Sequence, residues 1–261
     1  MAESVAPPDE NIEDLLKAVD GRPQDTYVHE ELCETVGKLA AMAAKPNEKK
    51  AIAKLRGITV LLQAMQKHLA VAGVQEQGCA ALKNLASDPD NERAIGELEG
   101  IKAVIRSMDK HPEVAGVQQQ ACGALWNLGF CVEHKKQIVR YGGLDAVLRA
   151  MEQHVEVKPV QEQAFGVLRK ILESEDRSIQ AEVVERGGVG AVQRGLAKHA
   201  MSPFMVEHGA WLWFHFTWLS NHNENCSREL MEHGAQDTAL KAVGKPFYKV
   251  PKPQLDIRAA P

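Results

Sequence analysis

The chain of 261 residues carries 25% charged and 44% broadly hydrophobic residues, enough apolar material for one or two packed domains and too much for a disordered chain. Aromatics make up only 5%, and valine and isoleucine are scattered rather than gathered in strand-like runs, so long sandwiches and barrels are poor candidates. The net charge of −4 gives no general reason to expect nucleic-acid binding, and no apolar stretch approaches the roughly 18 residues needed to insert across a membrane.

The amino-terminal end is acidic. Residues 1–34 hold Glu3, Asp9, Glu10, Glu13, Asp14, Asp20, Asp25, Glu30, Glu31 and Glu34 against Lys17 and Arg22, a balance of −8. This start resembles neither a secretory signal nor a basic transit peptide, so a reducing intracellular compartment, the cytoplasm, is expected. Residues 1–10 read as a flexible acidic N-terminus. At the other end Lys241, Lys245, Lys249, Lys252 and Arg258 face Asp256 alone. Two readings stay open for this asymmetry: solvated termini, or contact of each end with an oppositely charged surface.

Residues 11–243 are repetitive. Gapless copies start at Gly57 (GITVLLQAMQKHLAVAGVQEQGCAALKNLA), Gly100 (GIKAVIRSMDKHPEVAGVQQQACGALWNLG) and Gly143 (GLDAVLRAMEQHVEVKPVQEQAFGVLRKIL), a period of 43 residues. An earlier copy starts at Asn11 and a later one at Gly188, the latter aligned by setting Val206 against Val117 with one extra residue. A partial sixth copy begins at Asn223 and reads as a cap. Within a unit, Val74, Gly78, Ala81, Leu82 and Leu85 follow helical spacing and predict a long helix with one buried stripe. Ile58, Leu61, Leu62 and Met65 predict a shorter helix before it. A further short segment, such as NERAIGELEG, ends in glycine, the residue suited to a left-handed helix cap. Pro112 and Pro159 fall ahead of the long helices, where a missing N–H does no harm. Three helices per unit, each unit burying its neighbour's apolar face, predict an all-α solenoid of five repeats plus a partial sixth.

The pattern G-[IL]-x-A-V-x-x-x-M, a loop, then V-Q-x-Q-x-C-x-A-L-x-N-L resembles the armadillo repeat over nearly the whole chain. The resemblance implies an armadillo-type α-α superhelix whose third helices line a concave groove. Helix geometry then sets three rows on the face opposite Val74 and Leu82. The first row is Glu31, Gln77, Gln120 and Gln163; the second is Glu34, Ala80, Gly123 and Gly166; the third is Lys38, Asn84, Asn127 and Lys170. In importin-like and catenin-like relatives, asparagines matching the third row bind the backbone of an extended peptide. Asn84 and Asn127 match, whereas Lys38, Lys170 and Phe216 depart. Nuclear-import relatives place tryptophan four residues earlier to grip lysine; Ala80 and Gly123 stand there, which disfavours nuclear-signal binding. The expected groove is polar with a floor of small residues, about 40–50 Å long, and takes an extended segment of about 12–15 residues.

His68, His111, His154 and His199 recur at matching loop positions, too far apart for one metal ion, and are expected to stabilise loops by hydrogen bonds. His208, His215 and His222 with Cys226 are spread along the chain in a way one ion cannot bridge, so no metal and no cofactor is expected. Cys33, Cys79 and Cys122 recur as small core residues of a reduced protein, not as disulfide partners. Trp211, Trp213, Phe216 and Trp218 crowd one helix, with Trp211, Phe214 and Trp218 assigned to one face and Trp213 with Phe216 to another. They are either capped by the partial sixth copy and the tail or form a partner hotspot. The tail, residues 244–261, is basic, proline-spaced and extended, and offers Phe247 and Tyr248 either to that helix or to another protein.

No phosphate loop, nucleophile–base arrangement or metal motif points to an enzyme, and no catalytic residues are assigned. The expected function is a non-enzymatic scaffold or adaptor that binds a partner protein, as linear peptide, helix or assembly neighbour, through the groove and the aromatic end. The alternatives are a permanent structural subunit of a larger assembly and, less favoured, an Hsp70-type nucleotide-exchange or chaperone cofactor.

Overall fold

A computed structural model describes residues 11–21 and 29–220. The acidic residues 1–10, Cys226, His222, the partial sixth copy and the tail with Phe247 and Tyr248 lie outside the described residues. The described chain is all-α, with fourteen helices and no strand among the described residues. None of these helices is long and apolar enough to cross a membrane.

The helices fall into three classes that recur with the sequence period. Short first helices are α3 (Pro46–Lys54), α6 (Pro89–Glu97), α9 (Val132–Arg140) and α12 (Arg177–Glu185). Second helices are α1 (Ile12–Asp20), α4 (Gly57–Lys67), α7 (Gly100–Lys110), α10 (Gly143–Gln153) and α13 (Gly188–Lys198). Long third helices are α2 (His29–Met42), α5 (Ala72–Leu85), α8 (Ala115–Leu128), α11 (Lys158–Leu172) and α14 (Pro203–Ser220). Third helices pack on third helices in the order α2, α5, α8, α11, α14, and second helices on second helices in the order α1, α4, α7, α10, α13. Each first helix contacts the second helix of its own unit and a third helix as well: that of its own unit for α3 and α6, and that of the preceding unit for α6, α9 and α12. The result is a layered, repeat-built α-solenoid.

Local chemistry explains where helices start and turn. Asn11, Asp88 and Asp176 cap α1, α6 and α12 by accepting hydrogen bonds from backbone N–H groups in the first turn. Pro46, Pro89 and Pro159 sit in first turns, where no N–H is needed. The sharp corner between first and second helices uses a left-handed residue: Arg56 (φ 60°), Glu99 (φ 61°), Gly142 (φ 81°) and Gly187 (φ 84°). Thus the glycines Gly57 and Gly100 are not the left-handed caps expected. They open the next helix, where a Cβ would stand 2.7 and 2.8 Å from the carbonyl oxygens of Ile52 and Ile95. Close approach of two backbones requires glycine there, and the residue before it carries the unusual φ.

The core runs the length of the stack. Leu82, Leu85, Leu125, Leu128, Phe165, Leu168 and Ile171 on the third helices are fully buried. Each such side chain contributes about 1.5–3 kcal/mol by leaving water. Cys79 and Cys122 are buried in the same column, and burial pushes both thiols up to about 12. Cys33 and Cys131 are half-buried, and no disulfide joins any described cysteine.

Buried glutamines, a class the sequence pattern hid among its polar letters, staple each unit. Gln75, Gln118 and Gln161 are buried at the start of α5, α8 and α11. Each Nε2 donates to two carbonyls that close the preceding helix and loop: Met65 and His68, Met108 and His111, Met151 and His154. The loop histidines join consecutive units. His111, His154 and His199 place Nε2 at 2.7, 2.7 and 2.8 Å from the carbonyl oxygens of Leu69, Pro112 and Val155, each one unit earlier.

Candidate functional site: the outer face of the third-helix layer

While Val74, Leu82 and their equivalents fill the core, of the residues expected to line a groove Gln77, Ala80, Asn84, Gln120, Asn127, Gln163 and Lys170 are half-buried on the third helices and Gly123 and Gly166 are buried. Their contacts are mostly with the neighbouring unit. In the third row, Asn84 Nδ2 donates to the Ala40 carbonyl (2.8 Å) and Asn127 Nδ2 to the Lys83 carbonyl (2.8 Å), tying each helix to the end of the one before. Lys170, in the same row, donates to Glu173 (2.7 Å) and sits over the Phe130 ring (3.9 Å). In the first row, Gln120 Oε1 accepts from Lys83 Nζ (2.6 Å), while Gln77 and Gln163 lean back over Gly37 and Gly123.

The second row differs from the expected open floor of small residues. Ala80 is half-buried, but Gly123 and Gly166 are buried under long side chains of the preceding unit. A Cβ on Gly123 would meet the Lys83 side chain at 2.6 Å and Gln163 Oε1 at 2.8 Å. One on Gly166 would strike the indole of Trp126, with Cε3 at 2.6 Å. Lys83, Trp126 and Arg169 occupy equivalent positions and each reaches forward across the next third helix. The missing Cβ atoms make room for these own-chain groups rather than for a ligand backbone. Burial also pushes the Lys83 ammonium below its ordinary range.

The last unit is in a different register from the one expected. Gly209 packs on Leu196 as Gly78 packs on Met65, which makes Met205, not Val206, the equivalent of Val74. The three rows therefore continue through His208, Trp211 and His215. Phe216 falls into the core column of Leu85 and Leu128 and is fully buried, so it is not a surface hotspot. Trp213 is half-buried with its ring 6.4 Å from Phe216, edge to face. Phe214 is exposed, and Trp218 is half-buried beneath Arg177, 5.6 Å away. Of the aromatic residues predicted to share a face, Trp211 alone joins the three rows.

Around Trp211 the layer becomes aromatic and basic. Trp126, having crossed Gly166, meets Phe204 at 5.7 Å and His208 at 6.0 Å, both edge-on. Phe204 stacks on His208 at 3.9 Å, and Trp211 on His215 at 3.6 Å. Both histidine rings carry Nδ1 at 3.2 Å from the carbonyl four residues earlier, of Phe204 and Trp211 respectively, so Nδ1–H donates and Nε2 is left to accept. Burial, assisted by the nearby Arg169 charge, holds both imidazoles below the usual 6.5 and therefore neutral at pH 7. The Arg169 guanidinium lies over the Trp211 ring, 5.0 Å from its centroid, and its Nε donates to Glu173 (3.1 Å). Burial works against the Glu173 charge, yet hydrogen bonds from Lys170 and Arg169 hold its carboxyl below the ordinary carboxylate range. Among the described residues no group of three or more histidine, cysteine or acidic side chains is placed to hold a metal ion.

The helical spacing puts Lys83 on the same side as Gln77, Ala80 and Asn84, but the three rows do not contain the forward reach of Lys83, Trp126 and Arg169. Their signal was present as a column one residue before the third row, each facing a glycine or a tryptophan one unit later.

No protein-family model matches the chain, and no curated protein matches it. Among solved structures, the crystal structure of an engineered protein from the Northeast Structural Genomics Consortium superposes with a TM-score of 0.61. It is 23% identical, and the match covers 90% of this chain and 97% of that one. At that identity the likeness concerns the fold alone.

Proposed function

We propose that the chain is an armadillo-type right-handed superhelix that acts as a non-enzymatic protein–protein interaction module, holding a linear segment of a partner along its third-helix layer. The observation that carries this reading is the continuity of that layer. Five long helices present one face whose side chains are held by contacts between units, such as Asn127 to Lys83 and Arg169 to Trp211. Side chains already fixed lose little rotamer freedom when a partner arrives, so their contacts count more fully toward affinity. Half-buried aromatic and arginine groups at one end are the residue types that most often anchor an interface.

The test is affinity capture of the tagged full-length chain from its native source, followed by competition with a Gln120→Ala, Trp211→Ala double variant whose cooperative melting, above the binding temperature, shows that it is folded. The expected outcome is at least a ten-fold loss of partner binding, on the order of 1.4 kcal/mol or more. Equal capture by the variant sinks the groove reading. Loss on deletion of residues 244–261 instead transfers the role to a structural subunit clamped by its tail.

A further inference from the structure

The outer face of the third-helix layer is not electrically uniform. Its α2–α5 end carries the exposed Glu30, Glu31 and Glu34 and the half-buried Glu76, with Lys38 paired to Glu34 at 3.1 Å. Its α11–α14 end carries Arg169 and Lys170 around the carboxylate of Glu173, with Lys135 and Arg177 beside them, while Glu175 and Glu207 are exposed further out, near Lys135 and His208 respectively. The carboxylate of Glu162 is answered within the chain by Ser202 Oγ (2.8 Å) and Lys158 (3.6 Å).

The aromatic end therefore has a definite preference. The Trp211 ring, the natural seat for a ligand cation, is already stacked on His215 and already carries the Arg169 guanidinium. An incoming lysine or arginine would have to displace that guanidinium and meet Lys170 as well. Arg169 itself remains 28% exposed along its side chain, and Nε is its one hydrogen-bond donor with a partner among the described residues. Its two Nη groups form a planar fork whose orientation is set by the indole on one side and Glu173 on the other. A fixed fork of this kind matches a carboxylate with two parallel hydrogen bonds, at less entropic cost than a free arginine. Exposed apolar rings belong to its neighbours: Phe214, edge-on to His215 at 5.8 Å, is 43% exposed, and Phe130, beneath Lys170, is 59% exposed.

We propose that the ligand held at the aromatic end is a linear peptide segment with an acidic side chain beside an aromatic or large apolar one, its carboxylate seated on the Nη groups of Arg169. The inference rests on the third-helix layer being the ligand surface, and it specifies the ligand's chemistry at one end. Glu173 then acts as an internal competitor: it holds Arg169 and Lys170 in place and also answers part of their charge.

The experiment selects a displayed library of random twelve-residue peptides against the full-length protein, then measures a fluorescein-labelled synthetic copy of the best sequence by anisotropy. The expected selectants carry Asp or Glu within two residues of an aromatic or large apolar residue. Arg169→Gln should weaken the probe by roughly ten-fold or more, and Arg169→Lys, which keeps the charge but loses the fork, by an intermediate factor. Glu173→Gln should strengthen it by roughly three-fold or more, an effect opposite in sign to that of a merely structural residue. Arg149→Gln, on the second-helix layer and paired with Asp109 at 2.5 Å, should leave it unchanged. Melting temperatures identify any variant that fails to fold, and the lysine variant keeps the test alive if the glutamine variant does. Basic selectants, indifference to Arg169, or weakening by Glu173→Gln overturns the proposal while leaving the groove reading intact. Tighter binding of a twelve-nucleotide single strand than of any selectant replaces the peptide with nucleic acid and overturns it too. No selectant at all overturns both readings.

Discussion

Between α8 and α11 the forward-reaching side chain is Trp126 and the residue beneath it is Gly166; between α11 and α14 the forward-reaching side chain is Arg169 and the residue beneath it is Trp211. Both arrangements lay one flat group across the next helix. In the first, the flat group needs the neighbour to have no side chain, and the indole packs against Phe204 and His208 of α14. In the second, the neighbour supplies the flat surface and the cation lies outside it, with its fork still partly in water. The same packing position thus carries an aromatic ring between α8 and α11 and a partly solvated, hydrogen-bonding cation between α11 and α14. A repeat can change what it offers a partner without changing how it stacks.

The largest expected effect separates staple from surface. Gln118→Leu, which leaves the Met108 and His111 carbonyls buried without their donor, should cost about 2–4 kcal/mol in denaturant unfolding. Gln120→Ala, two residues on, gives up one part-buried bond with Lys83 and should cost about 1 kcal/mol or less. Equal costs would erase the distinction between the two glutamines of the V-Q-x-Q pattern.

Next in size is the aromatic position itself. Gly166→Ala pushes a Cβ into the Trp126 indole and should destabilise by about 1–3 kcal/mol, with a changed tryptophan near-UV signal as Trp126 leaves Phe204 and His208. An unperturbed signal would mean the indole does not lie across Gly166.

A smaller effect, in the stabilising direction, is expected at the corners. Arg56→Gly relieves a left-handed conformation that Gly142 and Gly187 already occupy without a Cβ, and should add about 1 kcal/mol of stability. A loss of stability there would show that the arginine side chain outweighs its backbone cost.

The smallest expected effect is that of pH at the α14 end. His208 and His215 have folded-state values below their unfolded 6.5, so between those values the unfolded chain binds more protons than the folded one. Their contribution is fully present above about pH 6.5 and declines as pH falls through 6.5 toward the folded values. NMR titration of the imidazole protons should place both midpoints below 6.5, and Arg169→Gln should raise them by removing a nearby positive charge. Midpoints at or above 6.5 would mean that burial does not govern this end.

Much of this architecture is legible in the order of residues. The 43-residue recurrence, the helical spacing of Val74, Ala81, Leu82 and Leu85, and the prolines at helix starts are local properties, and local properties survive in a linear string. The register of the last unit was not legible, because matching valine to valine favoured Val206. The core reads apolar volume rather than identity, and it took Met205. That one-residue shift is 100° of helix rotation. It buried Phe216 and brought Trp211 into the row where Ala80 and Gly123 stand.

What the sequence by itself determined is therefore the repeat, its three helices and the face each turns inward, since periodic burial depends only on the order of apolar residues along one helix. What the tertiary structure alone decided is which side chain fills the space above each glycine, whether an aromatic face is covered by a cation, and where a buried glutamine finds its two carbonyls. Those outcomes depend on residues a full repeat or two away, whose distance and direction are set only when the layers stack.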